Sequence, residues 1–157
     1  MKKYHLSLDD TFEESFHLFA IYSDEESYRM AFLINLHLAL HLHKSKSIIR
    51  KKDSGVFTVY EYNDKSNYQD WYLIHNHSLL ESNTNSTDLF SQESSIFQTK
   101  IFYIKELKNA PFLLKVVADV DAAFLRSTLK KLQKISQVFT AELIDLTQLK
   151  NQKLLIF

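Results

Sequence analysis

One glycine in 157 residues, Gly55, is the strongest constraint this sequence carries. A loop that cradles phosphate needs several glycines, because its backbone must approach the ligand closely and turn through positive φ. Neither a G-x-G-x-x-G turn nor a Walker loop can be written with one. Cysteine is absent altogether. Thiol nucleophiles, disulfides and Cys-type zinc sites are therefore excluded. Proline occurs once, as Pro111. No chemical signature of comparable strength takes the place of those excluded.

The length suits one α+β domain over residues 1–157 with a real hydrophobic core. Hydrophobic residues make up 45% and charged residues 24%, a globular composition. Lys plus Arg and Asp plus Glu balance at 19 each, which argues against nucleic acid as the main partner, since phosphate binding is carried by excess cation. The opening MKKYHLSLDD lacks the apolar run of a signal peptide. Tyr28 to Leu42, the longest apolar-rich stretch, is too short for a membrane span and holds Arg29, Asn35, His37 and His41. The expectation is a cytoplasmic protein with no membrane contact.

Residues 3–8 alternate as a half-buried strand. FHLFAIYS, 16–23, is apolar on both sides and reads as a central strand. Ser23 and Glu26 match a capping box for a first helix running to about His43. Tyr28, Phe32, Ala39 and Leu42 form its expected inner stripe, with Leu33, Leu36 and Leu40 widening it. A helix apolar around so much of its circumference is covered on more than one side or meets a partner.

HKSKSIIRKKDSG, 43–55, reads as a basic connection ending at the glycine. FTVYEYN, 57–63, and DWYLIHN, 70–76, read as a hairpin of strands. Residues 81–95 read as a mobile polar loop, and IFQTKIFYI, 96–104, as a strand. Pro111 leads into the strand PFLLKVVA. A second helix spans roughly 120–135, capped by Asp119 or Asp121. Its inner stripe is Phe124, Leu125, Thr128, Leu129, Leu132 and Ile135. Strands at 138–146 and 153–157 complete an α+β layout, an antiparallel or mixed sheet with two helices on one face.

YRMAFLINLHLAL, YLIHN, IKELKNAPFLLKV and LKNQKLLIF occur here in that order. In these segments the chain resembles the IPExxxVDY family of small bacterial proteins, found mainly in Bacteroidota. Ile104 and Glu106 match the first and third positions of the naming motif, and Phe112 is an aromatic replacement for its tyrosine. Lys105 stands where that motif has proline, and Pro111 where it has aspartate. The resemblance implies a cytoplasmic bacterial protein and supplies no mechanism.

His37 and His41 are spaced i, i+4 and could share a metal on a helix face. The metalloprotease pattern needs Glu at 38, where this chain has Leu38, so no metal and no cofactor are expected. Arg29 and Asn35 are polar residues in an apolar helix, each needing a partner if buried. With Asn76, at the end of YLIHN, and Glu106 they form the candidate binding set. Leu33 and Leu40 are the candidate interface residues. Two basic clusters, Lys44–Lys52 and Arg126–Lys134, could make one patch beside Tyr60, Tyr62, Trp71 and Tyr72.

The reading that follows is a non-enzymatic interaction module that meets a protein partner or a second copy. The alternative is an RNA-binding accessory protein using the basic patch. Small-ligand binding or catalysis around Arg29 and Glu106 comes third.

Overall fold

The computed structural model describes residues 15–45, 48–50, 55–83 and 96–157. The expected strand at 3–8 lies outside these residues, as does the expected loop except for residues 81–83, which close a strand.

The fold is α+β. The chain runs through β1 (Phe16–Tyr22), α1 (Ser27–Leu38), β2 (His43–Lys44), β3 (Ile48–Arg50), β4 (Gly55–Phe57), β5 (Val59–Asp64) and β6 (Gln69–His75). It continues through β7 (His77–Asn83), β8 (Ile96–Phe102), β9 (Phe112–Val117), α2 (Ala122–Gln133) and β10 (Thr140–Leu143). Short 3-10 turns lie at Lys105–Leu107, Leu146–Gln148 and Gln152–Leu155. Six strands form one antiparallel sheet in the order β10-β1-β9-β6-β5-β2. Two hairpins, β3–β4 and β7–β8, stand apart from it.

The inner strands are apolar on both sides because both faces of the sheet are covered. Alternation along β9 sends Phe112, Leu114 and Val116 to one core and Leu113 to the other. In β1, Phe19 and Ile21 join the first core, Leu18 and Ala20 the second. Both helices pack on the first face, through Met30, Ala31, Leu33 and Ile34 of α1 and Leu125 and Leu132 of α2. The second face is closed by Tyr103, Ile104 and Ala110 around the 105–107 turn, and by Leu149 and Leu155 further along.

The second helix follows the sequence closely. The Asp121 carboxylate accepts the Phe124 N–H at 2.8 Å, the side-chain cap of an exposed N-terminus. Leu125, Thr128, Leu132 and Ile135 are buried, and Arg126, Lys130 and Lys134 are exposed.

Other elements differ from expectation for identifiable reasons. The first helix begins at Ser27, with Glu26 at the cap position and no side-chain cap. The Ser23 hydroxyl instead donates to the Gln137 carbonyl at 2.7 Å and accepts the Glu25 N–H, binding the turn to the segment before β10. The helix stops at Leu38, well short of His43, because Ala39 takes the left-handed conformation at φ 55°. The 43–55 connection contains β2 and β3 and ends in β4, where Gly55 sits. There a Cβ would meet the Cδ1 of Ile101, the far end of a flexible side chain, and the rim of the Phe57 ring. KLLIF, expected as a strand, forms a 3-10 turn and the extended residues after it. It crosses the second face of the sheet, with Leu155 fully buried.

Candidate functional site

The outer surface of α1 is the most unusual surface among the described residues. Tyr28, Phe32 and Leu36 are 67%, 63% and 67% exposed, and at i, i+4 and i+8 they form one stripe. The opposite side, Met30, Ala31, Leu33 and Ile34, is buried on the sheet. This reverses the expected orientation: Tyr28, Phe32 and Ala39 face outward, and of that group only Leu42, beyond the helix, is buried. Leu33 and Leu40, the expected interface residues, are 8% and 6% exposed and belong to the first core, so they have no area left for a partner. Helical period alone cannot choose between two apolar sides. Contact with the sheet chooses the aliphatic one.

The polar residues of α1 are engaged locally. Arg29 Nε lies 3.2 Å from a Glu25 carboxylate oxygen, an i, i+4 pair of which Arg29 is exposed and Glu25 half-buried. Asn35 is the C-terminal clasp of the helix. Its Nδ2 donates to the Leu42 carbonyl at 3.0 Å, its Oδ1 accepts the Leu42 N–H at 2.8 Å, and its own carbonyl accepts from Leu40 N–H. His37 Nδ1 lies 2.9 Å from the Leu33 carbonyl oxygen. His41 is beyond the helix, edge-on to Tyr62 with ring centroids 5.4 Å apart, so the two histidines do not share a helix face.

Asn76 and Glu106 lie around the second core. Asn76 is fully buried at the end of β6. Its Nδ2 donates to the carbonyls of Leu107 at 2.8 Å and Ala110 at 3.1 Å, and its Oδ1 accepts the Ile104 N–H at 2.8 Å. One side chain thereby holds the whole 104–110 turn. Glu106 is exposed and accepts the Lys150 N–H at 3.0 Å, tying that turn to the segment between the last two 3-10 turns. Arg29 and Asn35 are on the helix side of the sheet, Glu106 on the other, so the structure does not bring the four residues into one site.

Two groups of titratable side chains lie outside the candidate binding set. His75 and His77 are edge-to-face with centroids 4.1 Å apart, and His75 also stacks on Phe112. Burial, then His77, then Lys100 push the His75 imidazole down to about 4. Burial and Lys100 lower His77 as well. Two imidazoles beside an ammonium make a poor cation seat. Among the described residues no three His, Asp or Glu side chains come together around a common point.

The second group centres on Lys115, 3% exposed on the second face of β9. Its ammonium lies 4.4, 5.0 and 5.2 Å from the ring centres of Phe157, Phe16 and Tyr72, and donates to the Leu155 carbonyl. Three aromatic faces and a carbonyl dipole suit a desolvated cation. The sequence signal was a lysine inside an otherwise apolar strand.

The β5–β6 hairpin holds an open hollow of about 440 Å³, lined by Asn63, Asp64, Lys65, Tyr68, Gln69 and Asp70. Its carboxylates serve the turn. Asp64 accepts from the Ser66 N–H and the Asn67 side chain, and Asp70 from Asn63. Of the aromatics considered for stacking on bases, Tyr60 and Trp71 are buried in the helix-side core. Arg126, Lys130, Lys131 and Lys134 are exposed on α2, whereas the side chains at 46–52 lie outside the described residues.

Comparison with protein-family models, curated proteins and solved structures finds no match to this chain. No helix among the described residues is long and apolar enough to cross a membrane.

Proposed function

We propose that this protein is a non-enzymatic interaction module of the bacterial cytoplasm and that the outer stripe of α1 is its docking surface. One observation carries the reading: Tyr28, Phe32 and Leu36 stay about two-thirds exposed in register on a helix whose other side is already buried. Single exposed apolar residues need no explanation, but an aligned set on a rigid element marks an interaction site. Such a stripe fits the apolar side of a partner helix, read at i, i+4 and i+8. The likeness to the IPExxxVDY family supports the compartment. The dispersal of Arg29, Asn35 and Glu106 favours docking over chemistry, since each is engaged in holding local structure.

The test is capture from native lysate with wild-type protein and with Phe32→Glu, which changes an exposed position and leaves the core intact. Partners bound by the wild type should be lost from the variant. Equal capture by both would overturn the assignment of the surface.

A further inference from the structure

We propose that the occupant of the α1 stripe is α1 of a second copy of this chain, packed antiparallel about a twofold axis beside Phe32. This rests on the reading of the stripe as a docking surface and adds the identity and orientation of the partner.

The stripe is nearly symmetric about its middle. An antiparallel pair centred on Phe32 sets Phe32 against Phe32 and Tyr28 against Leu36, so every large apolar residue meets another. The self-complementarity required of a twofold interface is therefore met by three residues of one helix.

Charge selects the direction. Asp24, Glu25 and Glu26 leave the N-terminal end of the stripe acidic on balance, although Arg29 pairs with Glu25, whereas Lys44 is the charged residue beyond its C-terminal end. In an antiparallel pair each acidic end lies beside Lys44 of the other copy. A parallel pair would bring acid to acid and cation to cation. The helix dipoles also oppose one another favourably only in the antiparallel arrangement.

Area sets the strength. Large apolar side chains bury roughly 150–250 Å² when fully covered, so three of them about two-thirds exposed offer roughly 300–500 Å² per copy. That is about half the ~800 Å² per partner of a standard interface, the size of a weak or transient contact.

The absence of cysteine makes the geometry directly testable. Helix axes ~8–10 Å apart, with Cα atoms ~2.3 Å from each axis, bring the two Phe32 Cα atoms to about 3.5–5.5 Å, overlapping the disulfide range at the wider separations. Purified Phe32→Cys should therefore oxidise to a covalent dimer several-fold faster than Lys65→Cys, an exposed control on the β5–β6 turn. When Tyr28→Cys and Leu36→Cys proteins are mixed, the 28–36 heterodimer should dominate. Equal rates for positions 32 and 65, or dominance of 28–28 and 36–36 dimers, would overturn the proposal.

A photocrosslinking residue in place of Phe32, in living cells, separates this inference from the reading beneath it. An adduct of twice the chain mass supports self-pairing. Adducts only of other masses overturn self-pairing and leave the docking surface standing. No adduct overturns both.

Discussion

The Asn76 side-chain amide donates to the Leu107 carbonyl at 2.8 Å, joining residues 31 apart in sequence. With Ala110 and Ile104 also bound to that side chain, the turn between β8 and β9 is closed around a single buried asparagine. Asn76→Ala strands a buried N–H and two carbonyls, each such loss costing about 1–3 kcal/mol when water cannot replace the partner. Partial relaxation of the turn brings the expected total to about 2–4 kcal/mol. Urea unfolding measures it, and a loss under ~1 kcal/mol would show that the turn holds without this side chain.

The two sides of α1 should respond differently to truncation. Ile34 is fully buried, and Ile34→Ala should cost about 2–5 kcal/mol. Phe32→Ala removes a larger side chain from an exposed position and should change monomer stability by less than ~1 kcal/mol. Thermal or urea unfolding at low protein concentration decides. A Phe32→Ala loss matching that of Ile34→Ala would mean the helix is turned the other way.

Acid should weaken the fold through the histidine pair. His75 titrates at about 4 in the folded protein, against 6.5 for an unperturbed histidine, and His77 is shifted the same way. Their contribution is fully present above 6.5, because both rings are then neutral in either state. It is lost progressively as pH falls from there toward about 4, because the unfolded chain takes up protons that the folded one refuses. In His75→Phe, which keeps a ring against Phe112, the decline in urea midpoint between pH 7 and 4.5 should be shallower than in wild type. An unchanged slope would show that His75 has no part in it.

How much of this was legible in the sequence varies from element to element. The second helix could be read almost completely, because it has one apolar face, one basic face and an aspartate cap. β1 announced a doubly covered strand by being apolar on both sides. The first helix resisted because its apolar residues run nearly all the way round. The period fits two orientations, and only the sheet decides between them. Asn76 gave no signal beyond its place at a strand end, since its partners lie 28 to 34 residues away. KLLIF was ambiguous because a short apolar run fits a strand or a helical turn equally well.

Two neighbouring residues of that run make a local test of the structure. Leu155 is fully buried in the second core, and Leu155→Ala should cost about 2–5 kcal/mol. Ile156 is largely exposed, and Ile156→Ala should stay within about 0.5 kcal/mol. Urea denaturation of the two variants checks the pair. Similar losses would show that the segment does not cross the sheet as described.

The two faces of the sheet also differ in how much of the chain each one needs. The last buried member of the helix-side core is Ala141, whereas the other core needs Leu155. Undocking of the segment after Ala141 therefore leaves the helix side whole and strips Leu18, Ala20, Val59, Ile74 and Leu113 of their last cover. That apolar surface is the one a chaperone or a second unfolded chain would meet.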